Sequence, residues 1–327
     1  MFPTKGTNEE QLLFVLNYSV RAPSTHNTQP WLFKISANKL ELFPDVSRKL
    51  PESDKYGRDI CISLGACIEH TVIALKYFQM FDAIELHNEI RANSPVASIN
   101  YHRSSGVDSL LTPTMQAIEE RFNARGPFLP KEVPTDLLHQ ASVLCEEDVS
   151  AELTGERAAI AEFAALTAEG MRAAHSNKKF RKEIASWITH NYSSKKDGIP
   201  GYTMLMPGPV SLLLPFVIGT FNMGTVLAKL NTNSINSASG IGIIYSKQDE
   251  PLAWLRTGML FERISLLMNS RGVRTSIFVA SIEMPEIRPK LRKEFALQGL
   301  PQFTFAFGYP KVTLRQSPRL TPGERMV

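Results

Sequence analysis

Cysteine is scarce in this 327-residue chain, which contains only Cys61, Cys67 and Cys145. Three is an odd number, and none of the three has CxxC or metal-ligand spacing, which argues against structural disulfides and a zinc site. Two of them lie in an apolar, helix-like run. We therefore expect no metal site and a reducing, cytoplasmic setting.

Long hydrophobic runs and an excess of one charge are also missing. The first ten residues are polar and acidic, without the apolar core of a signal peptide. The longest apolar run, Val210–Phe221, is short for a membrane span and contains Pro215. The net charge of +4 is small and dispersed, so nucleic acid is not an expected partner. The sequence predicts neither a membrane nor a nucleic-acid partner.

Several catalytic signatures are absent as well. The sequence has no HxH, HExxH, GxSxG, Walker or GxGxxG pattern, which weakens hydrolase, zinc-enzyme and Rossmann interpretations. Hydrophobic residues make up 43% and charged residues 21%, as in a soluble globular protein. The length allows one large or two medium domains with a sizeable core.

The densest signal is Ala22–Trp31, which joins a helix-like run, Asn8–Val20, to a strand-like run. Small hydroxyl and amide residues lie between Pro23 and Pro30, and such side chains bond nearby backbone and hold a rigid loop. A row of short donors and acceptors suits the polar edge of a flat ring. The alternative is a capped loop that closes over a core Trp31. His26 could line a substrate or be a structural hydrogen-bonding residue of the loop.

The remaining pattern predicts alternating helices and strands. Two long apolar helices are expected over Ile62–Phe78 and Pro251–Ser270. Helices are also predicted over Thr114–Phe122, Pro134–Leu144, Glu152–His175, Lys178–Asn191 and Val210–Leu230, and strands over Trp31–Ser36, Leu40–Phe43, Ile84–Ile90, Val96–Tyr101, Ile241–Tyr245 and Phe303–Phe307. The loop-like residues 192–209 contain an apolar stretch, which suits either a mobile flap or a core segment.

A weak internal repeat links the two long helices. Leu64–His70 and Thr257–Arg263 share a glycine at the second position and a glutamate four residues later. Coincidence between two buried helices would explain this, and so would duplication of a dimeric ancestor. Because small residues allow close approach, duplication predicts that each helix packs on its counterpart.

Two basic segments are candidates for anion binding. Arg121 and Arg125 lie four residues apart and would share one face if the helix continued. Arg315 and Arg319 lie in the basic tail. Guanidinium groups suit phosphate and the electron-rich edge of a ring. The alternative in both places is a solvated surface, where arginine is common.

Three segments resemble the nitroreductase family of flavoproteins. Ala22–Trp31 resembles its APSxxNxQPW motif, and the Thr-His-Asn-Thr spelling resembles the Acg branch, in which two nitroreductase-like halves are fused. Arg121–Phe128 resembles the opening RRSxRxF segment, with Phe122 and Asn123 as departures. Gly308–Pro310 with the tail arginines resembles the closing GYP…R segment.

The resemblance implies an α+β, nitroreductase-like fold. Two fused halves would form an intramolecular pseudo-dimer, with antiparallel or mixed sheets flanked by helices. We place the halves at residues 1–112 and 113–327, with a lid candidate at 192–209. A chain that contains both halves would be a monomer.

The resemblance also implies one FMN site shared by the halves. Its expected members come from the loop, the arginine segment, the backbone region Arg274–Ala280 and the tail: Pro23, Ser24, Thr25, Asn27, Gln29, Arg121, Asn123, Arg125, Ser276, Arg315 and Arg319. In this family, backbone N–H groups near Ser276 point at flavin N5, and the last basic residues hold the phosphate. No protein side chain is required as a catalyst.

The expected function is that of an FMN-dependent oxidoreductase of nitroreductase type. It would take hydride from NAD(P)H and pass electrons to a nitroaromatic, quinone or similar small acceptor. One alternative is an FMN storage protein with an occluded flavin and little turnover. Another is a non-flavin interaction module with a degenerate nitroreductase fold.

Overall fold

This computed structural model describes residues 1–36 and 38–327. The chain forms two separate antiparallel sheets together with the helices that follow. The helices are α1 (Asn8–Ser19), α2 (Arg58–Tyr77), α3 (Thr112–Glu120), α4 (Thr135–Ser142), α5 (Arg157–Ser176), α6 (Lys178–Trp187), α7 (Gly208–Ser211), α8 (Leu214–Thr220), α9 (Gly224–Asn236), α10 (Pro251–Asn269), α11 (Ala280–Glu283) and α12 (Arg288–Glu294). The strands are β1 (Trp31–Ser36), β2 (Lys39–Pro44), β3 (Phe81–Leu86), β4 (Ala97–Tyr101), β5 (Cys145–Glu146), β6 (Val149–Thr154), β7 (Ile188–Thr189), β8 (Ile199–Pro200), β9 (Gly240–Ser246), β10 (Arg274–Ile277) and β11 (Leu300–Gly308).

The first sheet has the strand order β1-β2-β4-β3, and the second has the order β10-β11-β9-β6-β5. Every pairing within these two sheets is antiparallel, while the short β7 and β8 form a separate parallel pair. Helices cover the sheets, and Trp31 is fully buried between α1, α2 and β1 neighbours in the main core. The predicted α+β class, with antiparallel sheets flanked by helices, is confirmed.

The two long helices α2 and α10 cross at the glycines of the internal repeat. A Cβ atom on Gly65 would overlap the Leu255 carbonyl, and a Cβ on Gly258 would overlap the Ile62 carbonyl. Glycine at both positions therefore lets the two backbones touch. The prediction that each helix packs on its counterpart is confirmed.

The same crossing is held by two reciprocal polar pairs. Glu69 of α2 accepts hydrogen bonds from Arg263 of α10 at 2.9 and 2.8 Å. Glu262 of α10 lies 2.8 Å from Nε2 of His70 on α2. Each repeat glutamate thus meets the basic residue that follows its counterpart, an arrangement with approximate twofold symmetry.

The C-terminal tail returns to the first sheet. Met326 forms a parallel bridge with Phe33, and the Val327 N–H donates to the Phe33 carbonyl at 3.0 Å. Arg325 donates to the Trp31 carbonyl at 2.9 Å and to Asp45 at 2.6 Å. The C-terminal residues therefore add to the first sheet, next to β1.

Three predicted helices are wrong in part. The predicted helix Lys178–Asn191 ends at Trp187, where the short strand β7 begins. Glu152–His175 contains the end of β6 before α5, because buried Val149 and Ala151 alternate with outward residues and pair with β9. Val210–Leu230 is broken into α7, α8 and α9 rather than forming one helix. By length and composition α2 could cross a bilayer, but 89% of its apolar window is buried inside the protein, as in a core helix.

Candidate functional site

The loop that follows α1 has a strained backbone held by its own side chains. His26, Asn27 and Gln29 have φ values of 53°, 56° and 52°, in the left-handed region that non-glycine residues rarely adopt. Ser24 Oγ accepts from the Gln29 N–H at 2.9 Å and closes the loop. Backbone strain of this kind persists only where the surroundings impose it, and it occurs often at binding sites.

Two amide side chains fasten this loop to distant segments. Asn27 Oδ1 accepts from Arg319 at 2.8 Å, and Asn27 Nδ2 donates to the Pro318 carbonyl at 3.2 Å. Gln29 accepts from the Leu320 N–H at 2.8 Å and donates to the Lys196 carbonyl at 2.7 Å. The loop, the C-terminal tail and the start of the lid candidate therefore form one unit.

A polar cavity of about 430 Å³ opens beside this unit. It is bounded by the loop, the segment after α3, residues of the lid candidate and the tail. Eight of the predicted site residues line it: Pro23, Ser24, Asn27, Arg121, Asn123, Arg125, Arg315 and Arg319. Segments about 100 and 300 residues apart in sequence thus share one cavity.

The inner end of the cavity concentrates positive charge. Arg121 is buried, donates to the Arg21 carbonyl at 3.3 Å, and has its Nε 3.5 Å from Glu262. Burial, with the neighbouring Arg121 and Arg21 charges as smaller causes, lowers the pKa of Arg319 to about 9. Glu262 is the carboxylate that opposes them; burial resists its ionisation, yet Arg121 and His70 hold its pKa below the usual value. An anion among these arginines would relieve their mutual repulsion.

Buried donors without partners point to the same place. Nε of Arg319 is inaccessible to solvent and makes no hydrogen bond to any described residue. Nε of Arg121 is also inaccessible and makes no hydrogen bond among these residues, although its ion-pair partner Glu262 lies 3.5 Å away. Buried polar groups in native proteins are nearly always satisfied. A phosphate-sized anion would supply the acceptors that these guanidinium groups lack.

A second, apolar chamber of about 280 Å³ continues from the polar cavity. The residues that line both parts are Pro23, Ser24, His26, Asn123, Arg125, Ile199 and Ile277. Beyond them the chamber is walled by core aromatic residues and by α5, α6, α8 and α9, with Phe180, Ile218 and Leu227 among the lining side chains. Thr25 also lines this chamber and donates to Asp59 at 3.3 Å.

Arg125 and His26 lie where the two parts of the cavity meet. Arg125 forms no hydrogen bond or ion pair within the described residues. Its side chain is exposed to the open cavity, and desolvation by the surrounding protein lowers its pKa. Burial, with the Arg125 charge as a smaller cause, lowers the pKa of His26 to about 4, so its ring is neutral at pH 7. Nε2 of His26 is buried and has no described partner. The interpretation of His26 as a structural hydrogen-bonding residue is therefore not supported at that atom.

Three sequence expectations need correction. Among the described residues, Gln29 and Ser276 do not line the cavity: Gln29 fastens the loop, and Ser276 donates to the Ala124 carbonyl at 2.6 Å. The Ile277 N–H donates to Asn123 at 2.9 Å and the Phe278 N–H to the Thr304 carbonyl, so these two backbone donors are already used.

The third correction concerns the arginine segment. The helix α3 ends at Glu120, so Arg121 and Arg125 do not share a helical face. They reach one cavity because the chain turns after α3, with the Ala124 N–H donating to the Thr275 carbonyl at 2.8 Å.

Sequence reasoning missed one residue that lines the cavity and two that contact its arginines from outside the lining. Arg21 adds to the cation cluster, and its position directly before the Ala22–Trp31 motif was an available signal. Glu262 faces the same cluster and is the repeat glutamate. Tyr202 of the lid candidate lies under Arg315, with the guanidinium carbon 4.9 Å from the ring centroid. No sequence pattern pairs a tyrosine and an arginine so far apart.

Relatives with full-length similarity support the resemblance. Over 317 residues the chain is 24% identical to "Putative NAD(P)H nitroreductase Rv3131" of Mycobacterium tuberculosis (strain ATCC 25618 / H37Rv), covering 94% of this chain and 88% of that protein. It is also 38% identical over 55 residues, 17% of each chain, to "Putative NAD(P)H nitroreductase acg" of the same organism. No protein-family model matches the chain.

Among solved structures, the FMN-dependent nitroreductase NfnB of Mycobacterium smegmatis in complex with NADPH aligns with a TM-score of 0.41 at 18% identity. The alignment covers 66% of this chain and 97% of that one. The similarity to the curated relatives agrees with the motifs in indicating that the chain resembles the nitroreductase family. More particularly, it resembles mycobacterial proteins named as NAD(P)H nitroreductases along nearly its whole length.

Proposed function

We infer that the protein is an FMN-dependent NAD(P)H oxidoreductase of nitroreductase type. The observation that carries this proposal is the single cavity in which Ser24 and Asn27 of the loop meet Arg121, Arg125 and Arg319. Its polar end suits a phosphate and its apolar continuation suits a flat organic ring. The full-length similarity to proteins named as NAD(P)H nitroreductases supports the same assignment.

The chain fits FMN because its orphan donors match the chemistry of that group. Arg121 and Arg319, with Arg21 beside them, would hold the phosphate, which needs charge-assisted donors. Ser24 and Asn123 would meet the polar edge of the ring system at the junction of the two cavity parts, and Asn27 lies beside them in the polar part. When bound, FMN would supply the chemistry, accepting hydride at N5 from NAD(P)H and passing electrons to an acceptor.

The side chains at the junction would tune that site without acting as nucleophiles. Arg125, which lacks a protein partner, would stabilise negative charge near the N1 and O2 edge of the ring. His26 is neutral at pH 7, so Arg125 would be the positively charged side chain of this pair. The apolar chamber would exclude water and receive the nicotinamide or the acceptor, for which a nitroaromatic or quinone is our expectation.

A storage protein with an occluded flavin is the second candidate. The observation that favours it is the lid candidate at 192–209, which forms part of the cavity wall. The Gly198 N–H donates to the Asn27 carbonyl at 3.3 Å, and Ile199 lines both cavity parts. A fixed lid would retain the flavin and slow exchange of substrates.

Spectroscopy separates these candidates. The purified full-length protein, titrated with FMN, should acquire the visible absorption of a bound flavin. A protein that acquires no bound-flavin absorption at saturating FMN contradicts both the oxidoreductase and the storage protein, and favours the non-flavin interaction module. In stopped-flow mixing, rapid bleaching of bound flavin by NAD(P)H supports the oxidoreductase, and bound flavin that does not bleach supports storage.

The domain organisation, oligomeric state and cellular location of the protein are the next part of the proposal. We propose that residues 1–112 and 113–327 act as two nitroreductase-like halves in one monomeric chain in the cytoplasm. The shared cavity and the α2–α10 crossing support this view, since each half contributes part of one site.

A further inference from the structure

The segment Gly198–Ala228 contains no charged residue. In the structure it forms the second part of the lid candidate, α7, α8 and the first turns of α9. A surface segment of a globular protein normally carries charged side chains on its outer face. This segment instead presents large apolar side chains to solvent.

We call the exposed apolar side chains of this segment and of the adjoining turn of α9 the apolar face. Leu213 and Phe216 are 62% and 64% exposed, and the Phe216 and Phe221 rings pack together at 6.3 Å. The members of the apolar face are Leu205, Val210, Leu212, Leu213, Phe216, Phe221, Val226 and Leu230. Exposed apolar residues scattered singly need no explanation, whereas a contiguous group marks an interaction site.

The inner sides of the same helices are also apolar. Ile218 of α8 and Leu227 of α9 line the apolar chamber, while Phe216 and Val226 point outward on the same helices. Of the two helices, α8 is apolar on nearly every side, and such a helix is buried in protein or in contact with lipid. Since the inner side already contacts the chamber, the outer side requires a partner.

Positive charge is concentrated on the helices next to the apolar face. Residues 171–230 contain eight lysines and arginines and two acidic residues, whereas the whole chain has a net charge of only +4. The cations Arg172, Lys178, Lys179, Lys182 and Lys229 are exposed and belong to no ion pair among residues 1–36 and 38–327. They lie on α5, α6 and α9, and α6 and α5 pack against α8 and α9 respectively.

We propose that the apolar face docks on the surface of an anionic lipid bilayer, with the neighbouring lysines and Arg172 contacting acidic headgroups. Apolar side chains beside a group of cations are the combination that binds such interfaces. A second copy of this chain is a poorer occupant, because two such groups of cations would repel each other. Docking of this kind needs no membrane-spanning segment, but it departs from the sequence prediction that the protein has no membrane partner.

Docking would place the chamber wall against the bilayer. If the proposed oxidoreductase function also holds, acceptors that dissolve in lipid would reach the chamber between α6, α8 and α9. Bilayer docking itself does not depend on flavin, so the two proposals fail separately.

Vesicle flotation with the full-length protein tests the proposal. Vesicles of phosphatidylglycerol mixed with phosphatidylcholine should bind the protein, and phosphatidylcholine alone should bind at least tenfold less. High salt should weaken the binding, because the headgroup attraction is screened. The double substitution Leu213→Ser with Phe216→Ser and, separately, Lys179→Glu with Lys182→Glu should each lower affinity at least tenfold, since one lysine near such a surface is worth about fivefold.

Matched controls lie elsewhere on the surface. Leu110→Ser alters an 86% exposed leucine, and Lys247→Glu with Lys293→Glu alters two exposed lysines, and all three residues are outside residues 171–230. These controls should bind vesicles as the parent does. Absence of binding to anionic vesicles, equal loss in controls and test variants, or a dimer in sedimentation that Leu213→Ser with Phe216→Ser converts to monomer would each overturn the proposal.

Discussion

Arg319 shows how one side chain connects the fold with the site. It donates to Asn27 in the loop and repels Arg121 and Arg21 across the cavity. Its Nε has no described partner. The residue is therefore held in place by the fold while one of its buried donors remains without an acceptor.

Replacing Arg319 with alanine should weaken FMN binding. The loss of one charge-assisted contact corresponds to about 1.5–3 kcal/mol, or roughly 10- to 150-fold in Kd. Arg319→Lys should fall between the parent and the alanine variant, because it keeps the charge without the planar fork. Fluorescence titration of FMN into the apo-protein measures this, with the exposed Arg271→Ala as a control that should bind like the parent. Equal affinity in Arg319→Ala and the parent would remove Arg319 from the phosphate site.

Asp59 makes the stability of the protein depend on pH. Burial, and then the neighbouring Asp54 charge, raise the pKa of Asp59 to about 7 from 3.8, while Arg58 and the hydrogen bond from Thr25 oppose the shift. Burial and Asp59 also raise the pKa of the adjacent Glu283. Because the folded state holds the Asp59 proton more tightly than the unfolded state, stability falls as pH rises from about 4 to 7.

Removing this carboxylate should relieve that loss. Asp59→Asn should gain thermal stability relative to the parent, and the gain should be larger at pH 8 than at pH 5 by at least ~3 °C in Tm. Differential scanning calorimetry at the two pH values measures the difference. The exposed Asp82→Asn is the control and should shift little at either pH. A gain that is the same at both pH values would show that Asp59 does not titrate in this window.

At the scale of elements, the α2–α10 crossing depends on two glycines. The backbone of each helix occupies the space that a Cβ on the other helix would need. Gly65→Ala should therefore separate the helices and destabilise the fold by about 1–3 kcal/mol or more, as overpacking of a core does. Urea unfolding followed by far-UV circular dichroism measures the change.

Gly323→Ala provides the comparison for this substitution. No atom lies within 4 Å of the Cβ position at Gly323, and its φ is outside the left-handed region. The Gly323→Ala variant should therefore unfold at the same urea concentration as the parent. A Gly65→Ala protein as stable as Gly323→Ala would mean that the crossing can widen freely.

Element prediction succeeded where one signal dominated. The apolar periodicity of α2 and α10 and the apolar run of β1 were sufficient to predict these elements. A buried helical or strand face requires apolar residues at a regular spacing, and that spacing can be recognised in the sequence. The strand β6 was not recognised because the helix-forming stretch of α5 follows it directly. The breaks between α7, α8 and α9 were not recognised because an apolar run looks the same whether it forms one helix or three.

At the scale of the whole molecule, the tail ties the two ends of the chain together. Deleting Thr321–Val327 removes the Met326 bridge to Phe33 and the Arg325 contacts with Trp31 and Asp45. We expect the first sheet to open locally and to be cut faster in limited proteolysis. Met326→Ala keeps the backbone pairing and should be cut much more slowly than the truncated chain. Similar cleavage of the truncated chain and the parent would show that the tail is not needed by the first sheet.

The same closure predicts a monomer at moderate concentration. The α2–α10 crossing and the shared cavity are satisfied within one chain, so neither needs a second copy. Sedimentation equilibrium should return the mass of one chain, 36.5 kDa. An obligate dimer would contradict intramolecular pairing of the halves and require a different account of the site.

The sequence alone determined the local chemistry. Ala22–Trp31 specifies a tight polar loop, the glycine repeat specifies a close helix crossing, and both follow from short-range sterics and periodicity. Only the tertiary structure decided that Arg21 and Glu262 join the site, that Gln29 and Ser276 support it from behind, and that the Ile277 N–H is already used. These outcomes depend on contacts between segments up to about 290 residues apart. Such contacts leave no local pattern in the sequence, because many different sequences can place a hydrogen-bond donor or a charge at the same position in the folded protein.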